Sequence, residues 1–313
     1  MKHRISAALM MGLVLQFAFV EDSSSRLLKT MEVIGGVVMS PSFPRDVEPV
    51  LKTPGACPQH YPLGVPTIND PKRMIRSFWL CEAAYAVQYD PATKTPVWVA
   101  EVLSADNLRN SHEARTENFR ENPRLPLPAQ GTLKDYRGSG YDRGHMAPAG
   151  DMSSEETMSA SFFLTNMVPQ VGPNMNRGIW AELEHKIRQQ ALKRGLVYVM
   201  TGPIYSGGAA KELIGSSKVA VPTHLYKIVV DPNAKWAMGF IMPNEEIITK
   251  KQKKLRLDGE RAIHCSGTTG QERPCMIEDF IVDVREIQNI TGINLFPIAN
   301  LNEYRIVSKP PLP

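Results

Sequence analysis

Residues Ser139 to Met152 read SGYDRGHMAPAGDM, and Thr165 to Glu184 read TNMVPQVGPNMNRGIWAELE. The first stretch sets a carboxylate, a guanidinium, a glycine and an imidazole side by side at Asp142, Arg143, Gly144 and His145. His145 carries the side chain whose ordinary pKa lets it take a proton near neutrality, so it can activate water beside a bound substrate. Arg143 offers a permanently charged planar fork suited to phosphate. Gly144 lets the backbone turn sharply between them, and Asp142 fixes that turn or orients a neighbour through hydrogen bonds.

The second stretch supplies the metal ligand that the first lacks. From Asn176 to Arg194 the sequence places Ile179, Trp180, Leu183, Ile187 and Ala191 at helical spacing on one apolar face, and Gly195 supplies the stop. The preceding TNMVPQVGPNM holds two prolines and a glycine and reads as irregular. Asn176 thus begins a helix where an exposed loop ends. Its neutral amide oxygen suits magnesium, a hard ion that keeps several waters and needs only one or two protein ligands. Glu184 lies eight residues on, about 12 Å along a helical axis, with its side chain leaning back toward the N-terminus. It reaches water held by the ion rather than the ion itself. Asp142 and Asn174 are the next candidates for the ligand.

Singly, each residue has an ordinary reading: His145 a structural histidine, Asp142 and Arg143 a surface ion pair, Asn176 a helix cap, Glu184 a solvated helix face. The conjunction is less ordinary. From average residue usage, D-R-G-H arises by chance in roughly one chain in a thousand of this length.

Around these stretches the 313-residue chain reads as one large domain. Ser77–Asp90 and Thr95–Ser104 read as two strands joined by a turn at Asp90-Pro91, and 195–205, 223–231 and 235–243 as further strands. Residues 122–140 are rich in proline and glycine and read as loop. The expected fold class is α+β: a mixed or antiparallel sheet core carrying a β-hairpin with His145 that packs against the helix begun by Asn176.

The N-terminus has another character. Lys2, His3 and Arg4 precede an apolar run from Ile5 to Val20 and then a polar EDSSSR. That is the layout of a secretory signal, and the absence of a clean Ala-x-Ala site leaves retention as a membrane anchor as the alternative. Residues 21–55 read as a flexible lead and 56–308 as the functional domain. The expected location is exported, periplasmic or secreted. Loss of residues 1–20 removes Lys2 and Arg4 and no acid, so formal charge falls from +4 to +2, which is weak evidence for a polyanionic partner. The basic cluster from Lys250 to Arg256 reads equally well as a solvated loop. In an exported chain the four cysteines favour disulfides, and proximity pairs Cys57 with Cys81 and Cys265 with Cys275. Zinc held by His264 and cysteines is disfavoured because no C-x-x-C spacing occurs.

Taken together, DRGH at Asp142–His145 and the Thr165–Glu184 stretch resemble the signature motifs of the DNA/RNA non-specific endonucleases of the ββα-metal type, the endonuclease G-like nucleases. The resemblance extends over about residues 56–308 and includes TGPIY at Thr201–Tyr205 and VREIQNITGINLFP at Val284–Pro297. It implies that His145 is the general base, Asn176 the sole direct protein ligand of Mg²⁺, with Mn²⁺ or another divalent ion able to substitute, and Glu184 the residue orienting water on the metal. It further implies that Arg143 contacts phosphate, that Asn166 and Gln170 shape the site, and that an upstream arginine binds phosphate, Arg115 being preferred to Arg120. The implied reaction is metal-dependent hydrolysis of DNA and RNA phosphodiesters with little sequence specificity, leaving 5′-phosphate ends. The rival readings are a sugar-selective nuclease and a catalytically silent nucleic-acid-binding protein. An inhibitor protein and a homodimer are both compatible with the sequence.

Overall fold

The computed structural model describes residues 57–110, 114–250, 262–266, 271–297 and 299–306, all within one compact unit, Glu48–Pro313. Ten strands and three helices carry the argument. In chain order they are β1 (Phe78–Cys81), β2 (Tyr85–Asp90), β3 (Thr95–Ser104), β4 (Tyr141–His145), α1 (Glu155–Ser161) and β5 (Met167–Val171). They continue with α2 (Ala181–Arg194), β6 (Leu196–Ile204), β7 (His224–Asp231), β8 (Trp236–Pro243), β9 (Ile281–Val282), α3 (Val284–Thr291) and β10 (Arg305–Ile306). Eight of the strands form one sheet in the order β9-β8-β7-β6-β3-β2-β1, antiparallel throughout except for β10, which runs parallel beside β8.

Both sheet faces are covered, which is why its strands read as nearly continuous apolar runs. Val87, Val99, Val199 and Val229 point to one face, where Trp180, Leu183 and Ile187 of the helical segment and Met146 pack on them. Their alternating neighbours Ala86, Trp98, Met200 and Ile228 point to the other, against Val284 and Ile287 of α3 and the following Leu295 and Phe296. Full burial of Leu183 and Ile187 contributes roughly 2 kcal/mol each, so α2 is held by its apolar face more than by intrinsic propensity. Gly195 ends α2 at φ 90°, a conformation costly for any residue with a Cβ, and its N–H donates to the Ala191 carbonyl.

The structure revises several local expectations. Ser77–Asp90 is two strands, because the chain reverses at Glu82–Ala84 and the Glu82 N–H donates to the Tyr85 carbonyl. The proline-rich 122–140 stretch includes a short helix, Leu133–Tyr136, closed by reciprocal hydrogen bonds between Thr132 and Asp135. Residues 167–171, expected to be irregular, form β5. Pro169 is tolerated because β4 and β5 make a ribbon of only two strands, in which an absent N–H leaves no central ladder broken. The α-helix starts at Ala181 rather than Asn176. Residues Gly172–Trp180 form a wide π-type coil interrupted by Gly178 at φ −111°, ψ −110°, so the axial spacing expected between Asn176 and Glu184 does not apply.

Cys265 and Cys275 are disulfide-bonded as expected, whereas Cys57 and Cys81 are free thiols. Burial raises the Cys57 thiol pKa, and the hydrogen bond and charge of Cys81 add to it, so Cys57 is held as a neutral thiol. The bonded sulfurs of Cys265 and Cys275 dispose of the zinc alternative, since among the described residues they supply the one three-ligand grouping, with Asp279, and Asp279 pairs with Arg273. No helix among the described residues is long and apolar enough to cross a membrane. The expectations for residues 1–20 and 21–55, and for the basic cluster beyond Lys250, lie outside the described residues.

Candidate active site

The β4–β5 ribbon puts the two decisive stretches of sequence in register. Asp142 lies opposite Gln170, Gly144 opposite Val168 and His145 opposite Met167. A 21-residue connection containing α1 joins the strands, so they form a ribbon rather than a tight hairpin. Gly144 makes no turn. It is extended within β4, and its lack of a side chain admits Gln170: a Cβ there would lie 2.0 Å from Gln170 Oε1 and 2.7 Å from its Cβ. Because Gln170 is fully buried, Gly144→Ala should lower stability by about 1–3 kcal/mol. Urea unfolding of the variant at neutral pH checks this. An unchanged midpoint would mean that Gln170 swings aside at no cost.

Asp142 orients a neighbour, as one of its two expected roles allowed. Its Oδ2 accepts from Asn176 Nδ2 at 2.9 Å and lies 3.3 Å from Arg177 Nε. The amide nitrogen of Asn176 is thereby committed, leaving its oxygen available. Asn166 is a different kind of residue. Fully buried, it accepts from the Ala147 N–H and donates to the carbonyls of Ala147 and Ser161, clasping the chain just beyond His145. Gln170 is buried too and donates to Met175 Sδ. Neither lines the groove described next.

An open groove of about 420 Å³ is lined by Arg115, Asp142, Arg143 and Asn176, together with Phe119, Tyr141 and Arg177. Four of the residues read from the sequence therefore line one groove. His145 lies beneath it, 8% exposed, with its ring edge-on to Phe119 at 5.6 Å and to Phe162 at 5.0 Å. Its Nε2 has no hydrogen-bond partner, so the imidazole is held by ring packing and keeps that nitrogen uncommitted. Burial, reinforced by the charges of Arg115 and Arg143, lowers its pKa to about 3. The same charge relation puts Arg115 at the site. Arg120 instead donates to the Ser159 carbonyl and hydroxyl and stacks on Phe163, a structural anchor.

Glu184 does not line the groove. It is half-buried among Lys227, Asp151 and Arg188, and its pKa rises to about 7 through burial, with Asp151 adding to the rise and Lys227 and Arg188 opposing it. Lys227 itself is buried in β7. It donates to Thr201 Oγ1 at 2.7 Å, reaches the Met146 carbonyl at 3.4 Å and lies 5.2 Å from the centre of the Trp180 ring. Glu101 of β3 is buried close to these charges, and its pKa is raised well above the usual carboxylate value by burial and then by Asp151. Sequence reasoning missed Phe119, Phe162, Glu101 and Lys227. The last two left a signal, a charge in the middle of an apolar strand pattern, VWVAEVLS and HLYKIVV. A charge there has to be paired or used.

Comparison with known proteins bears on these residues as a set. The sequence family described as DNA/RNA non-specific endonuclease matches residues 72–301. Nuclease C1 of Cunninghamella echinulata var. echinulata is 41% identical over 180 residues, 53% of this chain and 71% of that protein. Mitochondrial nuclease EXOG of Danio rerio is 40% identical over 227 residues, 68% of this chain and 59% of the relative. Human mitochondrial endonuclease G is 35% identical over 176 residues, 52% of this chain and 59% of the relative. Several matches thus span little more than half of the relative. Among solved structures, the EndoG/EndoGI complex, described as showing the mechanism of EndoG inhibition, superposes with a TM-score of 0.63 at 28% identity, covering 82% of this chain and 97% of that one.

Proposed function

Since the chain belongs to the DNA/RNA non-specific endonuclease family, we propose that it hydrolyses phosphodiester bonds of DNA and RNA with little regard to sequence, using His145 as general base and leaving 5′-phosphate ends. The observation that carries this reading is one groove lined by Arg115, Arg143, Asp142 and Asn176, with the buried imidazole of His145 packed against its Phe119 and keeping Nε2 uncommitted.

Dependence on a divalent metal is general in this family. The residues present fit one. Asn176 has spent its amide nitrogen on Asp142 and offers a hard neutral oxygen, with the Asp142 carboxylate beside it. We take the ion to be Mg²⁺, held by Asn176, where it supplies positive charge against the negative charge that develops on the phosphate and on the departing 3′ oxygen.

The chain's own groups do the rest. Arg143 and Arg115 bind phosphate oxygens, which fixes the phosphorus over His145 without reading a base edge, so cleavage is sequence-blind and binding weakens as salt rises. With its pKa lowered to about 3, His145 is neutral near pH 7 and can accept the proton of an attacking water. In the free protein the two arginines depress its basicity. An anionic phosphate drawn between them opposes that depression, so the base strengthens when substrate is present. Glu184, ionised above about pH 7 in the free protein, accepts hydrogen bonds from water on the site's inner side.

A pH profile follows. Cleavage should rise as pH increases through about 7, where Glu184 loses its proton, and this limb belongs to Glu184 because His145 is already neutral there. Initial rates for the parent and for Glu184→Gln check the assignment, since the glutamine variant should lose the limb; a limb that survives unchanged would assign it to another group.

Cleavage of matched DNA and RNA strands, followed by analysis of the product ends, tests the proposed substrate range. Both strands should be cut to 5′-phosphates. Cutting of one sugar type alone would support the sugar-selective reading, and binding without cutting the silent one. We further propose that residues 56–308 are the catalytic domain and that residues 1–20 direct export or anchor the chain. Cys265–Cys275 supports an oxidising destination. Intact mass of protein recovered from the envelope fraction tests export, and an uncleaved chain in the cytoplasm would contradict it. An inhibitor protein that covers the groove is proposed from the likeness to the EndoG/EndoGI complex.

A further inference from the structure

Four side chains around the base His145 form one continuous set of contacts with it. The Arg143 guanidinium lies 4.0 Å from the centre of the Phe119 ring, and the Arg115 guanidinium 5.0 Å from that of Phe162. The two phenylalanines meet edge to face at 4.8 Å and 85°, and His145 is edge-on to both. Phe162 is fully buried, whereas Phe119 is half-buried at the groove. Arg143 is exposed, and no carboxylate lies within ion-pair distance of it among the described residues. A long exposed guanidinium without an ion pair ordinarily samples many rotamers. Here an aromatic face holds it.

We infer that Phe119 is a positioning residue: its face holds Arg143 ready for phosphate while its edge fixes the imidazole of His145, so one ring spaces the phosphate-binding charge from the base. This rests on the endonuclease reading and adds to it a residue that neither motif contains. Three features follow from the arrangement. The aromatic face attracts the cation without neutralising it, so Arg143 keeps its full charge for substrate, which an acidic partner would not permit. The Phe119–Phe162 contact ties the spacing of the two guanidiniums to the core. The ring offers His145 no polar group, so Nε2 stays uncommitted.

The test separates ring electronics from ring shape. Pentafluorophenylalanine in place of Phe119 keeps nearly the same shape but reverses the quadrupole that attracts a cation. In the magnesium-supplemented protein it should lower kcat/KM on duplex DNA about five- to thirty-fold, mainly through KM. Phe119→Tyr, which keeps the face, should stay near the parent. In an Arg143→Ala background the fluorinated ring should cost less than about two-fold, because the interaction it disrupts is gone. An equal loss in both backgrounds, or none in either, would overturn the positioning role while leaving the endonuclease reading intact. Failure of that reading shows differently: Arg143→Ala would then cleave like the parent, and the inference would fall with it.

Discussion

Replacing His145 with alanine should lower turnover by about a hundred- to ten-thousand-fold, the usual worth of a general base. Nucleic-acid affinity should change little. The imidazole is enclosed by Phe119 and Phe162 and makes no hydrogen bond through Nε2, whereas the groove charges that meet phosphate belong to Arg115 and Arg143. The variant leaves a small cavity against two rings, so its folded state is verified by thermal melting before rates are compared. A folded His145→Ala protein that nicks plasmid at the parent rate would remove the base from the account.

The second large effect separates the metal ligand from the residue behind it. Asn176→Ala deletes the amide that Asp142 orients, and with it the only protein oxygen assigned to the ion. Magnesium should bind more weakly, and activity should fall even at saturating DNA. Glu184 lies away from the groove wall among Lys227, Asp151 and Arg188. Its replacement by alanine should therefore cost about ten- to a hundred-fold, as for a residue acting through an intermediary, with the midpoint of the magnesium titration nearly unchanged. Raised magnesium should restore part of the Asn176→Ala loss and less of the Glu184→Ala loss, where occupancy is not the defect. Titrating magnesium against initial rate for both variants decides this. Parent-like metal dependence in Asn176→Ala would move the ligand, with Asp142 or Asn174 next to be tried.

The sequence was most legible where burial and periodicity agreed. The apolar face of α2 is the face read from Leu183, Ile187 and Ala191, and Ile179 and Trp180 of the preceding coil are buried with it. The strands at 196–204, 224–231 and 236–243 fell within the apolar runs, because a sheet covered on both faces selects continuous hydrophobic segments. Legibility failed where backbone behaviour depended on a distant partner. Pro169 signalled a loop, yet β5 exists because β4 pairs with it far along the chain. Gly144 signalled a turn, but its role is to make room for Gln170, which only the register of the ribbon reveals. Asn176 was picked out by its place between loop and helix, and although the α-helix begins five residues later the fold still brings it to the groove beside Asp142. Proximity likewise paired Cys265 with Cys275, which are joined, and Cys57 with Cys81, which are free thiols, since sequence separation does not report whether two neighbouring thiols are joined.

The residues proposed to act on phosphate were nameable because they cluster in two short motifs. Their support was not, because Phe119, Phe162, Glu101 and Lys227 come from four separate segments and meet only in the fold. Phe119 stands in TENFREN, a polar run in which one aromatic carries no periodicity. Lys227 and Glu101 stood out only as charges within apolar strands.

The central claim is that a divalent ion on Asn176 and the base His145 act together on a phosphate held by the groove. Its most direct measurement is the initial rate of supercoiled-plasmid nicking by the parent, His145→Ala and Asn176→Ala proteins, each with magnesium and with EDTA. The account expects rapid nicking by the parent in magnesium, none in EDTA, and a loss of at least about a hundred-fold in His145→Ala at every magnesium concentration. Undiminished nicking in EDTA, or a folded His145→Ala protein as active as the parent, would contradict it.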